Sequence, residues 1–357
     1  MFDSSIFGEI LKLLPRDLVR DSVARHEADK WSKGFSSWDH LLAMLAAQYC
    51  GVGSLRELEV VFNSPRGQHY HLATDQVRRS TLADANGRRA PGVFSDIVSG
   101  LMAAGGRRSR ADRWEAGALL SVLGSTAITL SGRGSAWAEA HRTRNGNQGL
   151  KLHIEQDHGT GAPRYVALTN TTVNDVTQAL DVPIKAGRTY VFDKGYCDYN
   201  WWRAIVEAGA SFVTRLKRNA ALRLIRIPHP AGKSHPFWIV ASDLDASARK
   251  IADTYKARWA IELLFKWLKQ NLKIKRFLGQ TRNAVIIQIL VAMIAYILLR
   301  DYHRALNRNA PKRLKDTLVF VRANLFDRPE TRNRKHRLIN QRYERQPGLW
   351  TMTQLDA

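Results

Sequence analysis

The spacing of apolar residues changes character once along the chain, near residue 105. Up to that point it is helical. In FSSWDHLLAMLAAQYCGV, residues 35–52, apolar side chains recur every three or four positions behind a serine suited to cap the first turn. GSLRELEVVF, residues 53–62, repeats the pattern, and RRSTLADANGRRAPGVFSDIVSGLMAA, residues 78–104, reads as helix, Gly/Arg/Pro break, helix. The stretch that follows, GGRRSRADRWEAG, is polar, basic and glycine-containing, and residues 106–117 read as a linker. From 118 the period shortens. ALLSVLGSTAITLSG is β-rich, and GLKLHIEQDHGTGAPRYVALTNT is two alternating runs around a Gly/Pro turn, a hairpin. DVTQALDVPIKAG predicts a short helix ending at Gly187, RTYVFDKGYCD a buried strand, YNWWRAIVEAGA a helix, SFVTRLKRN a strand, and residues 246–273 one long helix.

Three antiparallel strands followed by crossover helices are the order of a ribonuclease H-like α/β core. Two strand-like runs before the long helix, LRLIRI and FWIV, read as a small β insertion at about 219–245. The expected organisation is an all-α domain at 1–105, the basic linker at 106–117, the ribonuclease H-like core at 118–300 and a basic C-terminal region at 301–357. NAVIIQILVAMIAYILL, residues 283–299, is nearly long enough to cross a bilayer. It stands alone and carries Asn283 and Gln288, so a buried core helix is expected rather than a membrane span.

Charge narrows the partner. Lys and Arg number 55 against 32 Asp and Glu, a net charge of +23, and such a field attracts polyanions, nucleic acid foremost and an anionic membrane second. The arginines at the break, Arg78, Arg79, Arg88 and Arg89, are therefore candidate DNA contacts in the helical domain; the bland alternative is a plain bundle with solvated arginines. Two cysteines, Cys50 and Cys197, cannot build a disulfide framework or a four-ligand zinc site. MFDSSIFGEILKLLPRD does not have the pattern of a signal peptide, and a reducing cytosol is expected.

The chemistry gathers at two places. Asp193 ends the strand YVF and precedes a glycine turn, the edge at which α/β sheets collect ligands, although an aspartate there can also merely open the turn. In the long helix Tyr255, Arg258, Glu262 and Lys269 are spaced by three, four and seven. At about 100° per residue they share a stripe roughly 60° wide. An exposed Arg258–Glu262 pair would be worth only about 0.3–0.5 kcal/mol. A phosphoryl-transfer site gives the mixture a reason: carboxylates for divalent metal, cations for the nucleic-acid backbone.

DKGY at 193–196 and YKARWAIELLFKWLK at 255–269 resemble the DDE transposases of bacterial insertion sequences, in the branch with a Tyr-x2-Arg-x3-Glu-x6-Lys signature. FVTRLK at 212–217, QNLKIKRFLG at 270–279 and RRSTLADAN at 78–86 extend the likeness over most of residues 1–300. The resemblance implies a ribonuclease H-like core, Mg²⁺ (with Mn²⁺ as substitute) held by Asp193 and Glu262, and cutting and joining of double-stranded DNA at element ends and target. It implies DNA contacts by Tyr255, Arg258 and Lys269, a homodimer assembled on DNA, and a cytoplasmic, nucleoid-associated bacterial protein. An aromatic of the insertion, Trp238, is the candidate for contact with an unpaired base; packing within its strand is the plainer reading.

One position departs from the family pattern. Where the resemblance places the first acid, in a sequence like Leu-Asp-Ser-Thr, this chain reads LGST, with Gly124 in the acid's place. Neither Asp157, in the hairpin turn, nor Asp175, at the start of the next helix, is expected beside Asp193. The expected function is a transposase impaired in cutting. A DNA-binding relative without catalysis, and a metal-dependent nuclease, stand as alternatives.

Overall fold

The computed structural model describes residues 5–65, 69–111, 119–130, 136–139, 148–215, 225–227, 237–274, 276–306, 311 and 313–327. Most of the basic C-terminal region, residues 328–357, lies outside them. The N-terminal part is helical: α1 (Ile6–Leu11), α2 (Arg16–Arg25), α3 (Ser37–Cys50), α4 (Leu55–Asn63), α5 (His69–Leu72), α6 (Arg79–Arg88) and α7 (Pro91–Ala111). Local chemistry sets the ends. Ser36 and Asp39 form a reciprocal capping box at α3, Gly51 closes the same helix at φ 72°, and Ser54 caps α4. Helix α7 runs to Ala111, so half of the expected linker continues a helix.

The core that follows is a seven-stranded sheet in the order β3-β2-β1-β4-β5-β7-β6. Its strands are β1 (Leu119–Thr129), β2 (Gly149–Asp157), β3 (Pro163–Asn170), β4 (Arg188–Phe192), β5 (Ser211–Arg215), β6 (Ile225–Ile227) and β7 (Phe237–Ala241). β1 to β3 form an antiparallel meander, and β4 and β5 add in parallel. That is the ribonuclease H-like arrangement. The two runs read as an insertion extend this same sheet, β7 pairing antiparallel with β5 and β6 with β7. The remaining helices are α8 (Ala136–Glu139), α9 (Asp175–Ala179), α10 (Tyr199–Glu207), α11 (Ala248–Lys256), α12 (Trp259–Asn271), α13 (Arg282–Ala305) and α14 (Leu314–Asn324). Helix α9 stops well before Gly187.

α13 is the apolar run, and it is a core helix: 83% of its most apolar window is buried, with α1, α3, α6, α7 and α14 packed around it. One apolar cluster continues from these helices through α12 to the face of the sheet formed by Val122, Ile128, Leu150, Leu152 and Ile154. The opposite face, with Leu123, Tyr190, Phe192 and Phe212, is covered by α9 and α10. Val191, Val213 and Ile239 lie under Ile251 of α11.

The expected long helix is two. α11 and α12 meet in a tight turn where the amides of Ala257, Arg258, Ala260 and Ile261 bond three residues back instead of four. No proline or glycine causes it.

Candidate active site

The strand register fixes the site. β1 runs parallel to β4 with Val122 opposite Val191. Carried two residues further, Gly124 stands level with Asp193 on the neighbouring strand. Alternation turns Val122 and Gly124 to one face and Leu123 and Ser125 to the other. A Cβ built on Gly124 would meet Ile261 Cγ1 and Cγ2 at 3.0 Å and Phe265 Cε2 at 3.2 Å, so this face looks at α12, the helix that carries Glu262.

Asp193 follows β4 and its carboxylate accepts the Gly195 amide at 2.7 Å, while Thr214 donates to its carbonyl at 3.2 Å. The turn role considered from sequence is therefore real, and it leaves the second carboxylate oxygen clear of that bond. On α12, Arg258 donates to Glu262 at 2.9 Å, and its guanidinium lies 5.9 Å from the centre of the Tyr255 ring. Glu262 is nearly half exposed; Lys269, two turns further along the same face, is half-buried in the last turn. The apolar neighbours divide: Phe265 is buried, but Trp259 and Leu263 are exposed beside Glu262.

Electrostatics agree with this placement. Burial alone would lower the Arg258 pKa, but its bond to Glu262 and the nearness of Tyr255 and Asp193 leave it raised, so it stays a cation. Burial raises the Tyr255 phenol, which stays protonated and can donate.

Sequence reasoning missed Asp175. It was not expected near Asp193, yet its Oδ2 and Asp193 Oδ1 crowd the same spot, 3.3 and 2.8 Å from where a Cβ of Gly195 would sit. A larger residue there would push the two carboxylates aside. Asp175 Oδ1 accepts the Ser125 hydroxyl at 2.8 Å and the Lys151 ammonium at 3.1 Å. Ser125 also bonds the buried phenol of Tyr196, whose pKa is driven well up by burial, then by Asp175 and Asp193, with Glu262 adding to the effect. Asp175, Asp193 and, more weakly, Glu262 thus all act on this phenol electrostatically. The signal was present in the sequence, in Asn-Asp at 174–175 and Gly195 of DKGY, but the approach of α9 to the turn is tertiary. Asp157 lies elsewhere, in a buried pair with Arg188 at 3.2 Å.

The other expected contacts disperse. Arg78, Arg79 and Arg88 are exposed around α6. Arg89 is not: its guanidinium is buried, donating to the carbonyls of Phe35 at 2.6 Å and Ser36 at 2.8 Å, with Asp29 at 3.4 Å. It holds the start of α3 and is withdrawn from any DNA. Trp238 is 40% exposed on β7, between β5 and β6.

The sequence profile of the transposase DDE domain matches residues 117–298, half of the chain and the whole sheet with α11, α12 and most of α13. This chain belongs to the DDE transposase family. A putative transposase of Sinorhizobium fredii, y4zB, is 38% identical over 284 residues, 69% of this chain and 77% of that protein. A probable transposase for insertion sequence element IS5377 of Geobacillus stearothermophilus is 29% identical, over 51% of this chain and 56% of the relative. A putative transposase for insertion sequence element IS4SA of Synechocystis is 25% identical, over 64% and 73%. Residues 3–74 match a domain of unknown function, DUF4372.

DDE transposases generally use divalent metal. The oxygen donors of this transposase suit a hard cation. However, among the described residues no three His, Cys, Asp or Glu side chains converge closely enough to hold an ion, the Gly124 position offers none, and Glu262 is engaged by Arg258. As they stand, the described residues do not form a closed metal site.

Proposed function

We propose that this transposase binds the ends of its own element as a homodimer and is impaired in cutting them. The reading places it in the bacterial cytoplasm, at the nucleoid, with duplex DNA as both element end and target. Tyr255, Arg258 and Lys269 face the strand to be cut. Arg258 and Lys269 neutralise its phosphates and the protonated Tyr255 hydroxyl donates to them. Arg78 and Arg79 of α6 contact the duplex further away, and Trp238 is the aromatic available for an unpaired base. Asp193 and Glu262 would hold Mg²⁺, which would supply charge stabilisation at the scissile phosphate. On binding, Arg258 exchanges Glu262 for a phosphate and so frees the carboxylate.

The observation that carries the impairment is the register that sets Gly124 level with Asp193. The first carboxylate, the one able to bridge two ions, is absent, and Ile261 and Phe265 press against its place. Several kcal/mol of transition-state stabilisation are lost with it, which is orders of magnitude in rate. The test is nicking of duplex DNA carrying the element's ends. The unmodified chain should cut poorly or not at all, Gly124→Asp should cut, and Gly124→Asp with Glu262→Gln should not. Robust cutting by the unmodified chain would sink the reading and make Asp175 the first residue to examine.

A further inference from the structure

QNLKIKRFLG, the stretch after the signature helix, has no role in the site above. Beyond α12, its described residues 272–274 and 276–279 form neither helix nor strand, yet they are held by side chains of two core helices. Gln48 of α3 and Gln288 of α13 are both completely buried. Gln48 accepts the Lys273 amide at 2.8 Å. Gln288 accepts the Leu278 amide at 2.8 Å and donates to the carbonyls of Lys273 and of Arg276, the latter at 2.9 Å. Asn283 then donates to the carbonyls of Asn86 and Arg89 at 3.0 and 2.7 Å, tying the end of the segment to the C-terminus of α6.

Two amides in an apolar core are not the stable choice for packing; burying them makes sense if they specify the conformation of what they hold. What they hold is one-sided. Leu272 and Ile274 are buried, and Phe277 and Leu278 pack on the same core. Arg276 and Arg282 are exposed and Lys273 half-exposed. Residues 270–282 contain no acid. Arg282 stands in the first turn of α13, where a cation opposes the helix dipole by about 0.3–1 kcal/mol, so helix stability does not explain it.

We propose that residues 272–274 and 276–282 are a preformed DNA-backbone strap: buried Gln48 and Gln288 hold it so that Lys273, Arg276 and Arg282 carry phosphates of the duplex from the Glu262 helix towards α6. This rests on the reading that α12 faces DNA, and it adds the path the duplex follows away from the cut. Because phosphate contacts carry no sequence information, the strap binds any duplex alike.

The test is the salt dependence of binding, by fluorescence anisotropy, to a duplex of element-end sequence and to one of random sequence. The double variant Arg276→Ala/Arg282→Ala, both surface positions, should lower the slope of log affinity against log salt by about two units on both duplexes. Arg276→Lys/Arg282→Lys should retain it. Gln288→Leu should lose affinity on both duplexes even where circular dichroism shows the fold intact; should it fail to fold, the arginine variants decide. Lys269→Ala is the reference. If Lys269→Ala lowers the slope and the arginine pair does not, the strap is overturned and the site stands. If neither changes it, both fall. A loss confined to the element-end duplex would also overturn the strap, since it would mean base recognition.

Discussion

The start and the middle of β1 treat charge in opposite ways. Near its start Ser121 lies among buried Glu155, Asp157 and Arg188, with the partly exposed Arg164 beside Glu155. Its hydroxyl donates to Glu155 at 2.6 Å and accepts from Arg188 at 2.8 Å, Arg188 reaches Asp157 at 3.2 Å, and Arg164 approaches Glu155 at 3.6 Å. Two acids meet two bases, and three of the four groups are buried. Three residues beyond, at Gly124 and Ser125, Asp175, Asp193 and Glu262 share the neighbourhood of Tyr196, with Lys151 and Arg258 as cations and with solvent access. The first cluster is balanced and mostly buried, which is what a structural role requires. The second, with Arg215 also acting on Tyr255, mixes charges of both signs on an open side, which is what a cation and a polyanion can use. An acid near a sheet is therefore not informative by itself; its balance and exposure are.

Removing a charge from each cluster should separate them most strongly. Arg188→Ala leaves Asp157 buried and uncompensated, and should cost about 3–5 kcal/mol in urea unfolding. Asp193→Asn should change stability by less than about 0.5 kcal/mol, because it relieves like-charge crowding while its amide oxygen can still accept the Gly195 amide. Equal costs would erase the distinction.

Acid should act at the open cluster next. Burial pushes His153 down to about 4, with Lys151 assisting and Asp175 opposing. The folded chain keeps this histidine neutral while the unfolded chain takes up a proton below about pH 6.5. Its contribution is therefore complete above pH 6.5 and is lost as pH falls towards 4, about 3 kcal/mol in all. Buried His40, pushed down to about 3 by burial and by Arg89, acts in the same direction. Unfolding measured at pH 7 and pH 4.5 should show a smaller difference in His153→Gln than in the parent; an unchanged difference would remove His153 from the acid response.

Smaller still, Tyr196→Phe deletes the bond to Ser125 and should cost about 1 kcal/mol. The exposed pair is the least: Glu262→Gln should move stability by no more than about 0.5 kcal/mol. A cost of several kcal/mol would make Glu262 a structural residue.

The sequence made the balanced cluster illegible and the open cluster half legible. Asp193 and Glu262 could be found because a strand end before glycine and a three-four-seven spacing are local patterns. The Gly124 departure was visible for the same reason. Asp175 could not be placed, because its position depends on how α9 folds back over Ser125. Nor could Arg89 be told from Arg88: both flank one break, and only packing buries one against Phe35. The broken helix at Ala257–Arg258 was also hidden, since α and tighter turns share the same side-chain pattern over so short a stretch. The order of strands and helices, by contrast, followed from periodicity, and the core character of α13 from its two interrupting amides, which prove to hold the strap beside the signature helix.

The most direct measurement is Mn²⁺ binding by isothermal titration, with no DNA present, to the parent chain, Gly124→Asp, and Gly124→Asp with Glu262→Gln. If the open cluster lacks one carboxylate, the parent should bind weakly at about one ion. Gly124→Asp should then bind at least tenfold more tightly and with higher stoichiometry, provided Ile261 yields the few tenths of an ångström that the new Cβ needs, and Glu262→Gln should cancel the gain. Tight binding of two ions by the parent, with no gain on Gly124→Asp, would mean that the site is already complete and that the glycine is not its defect.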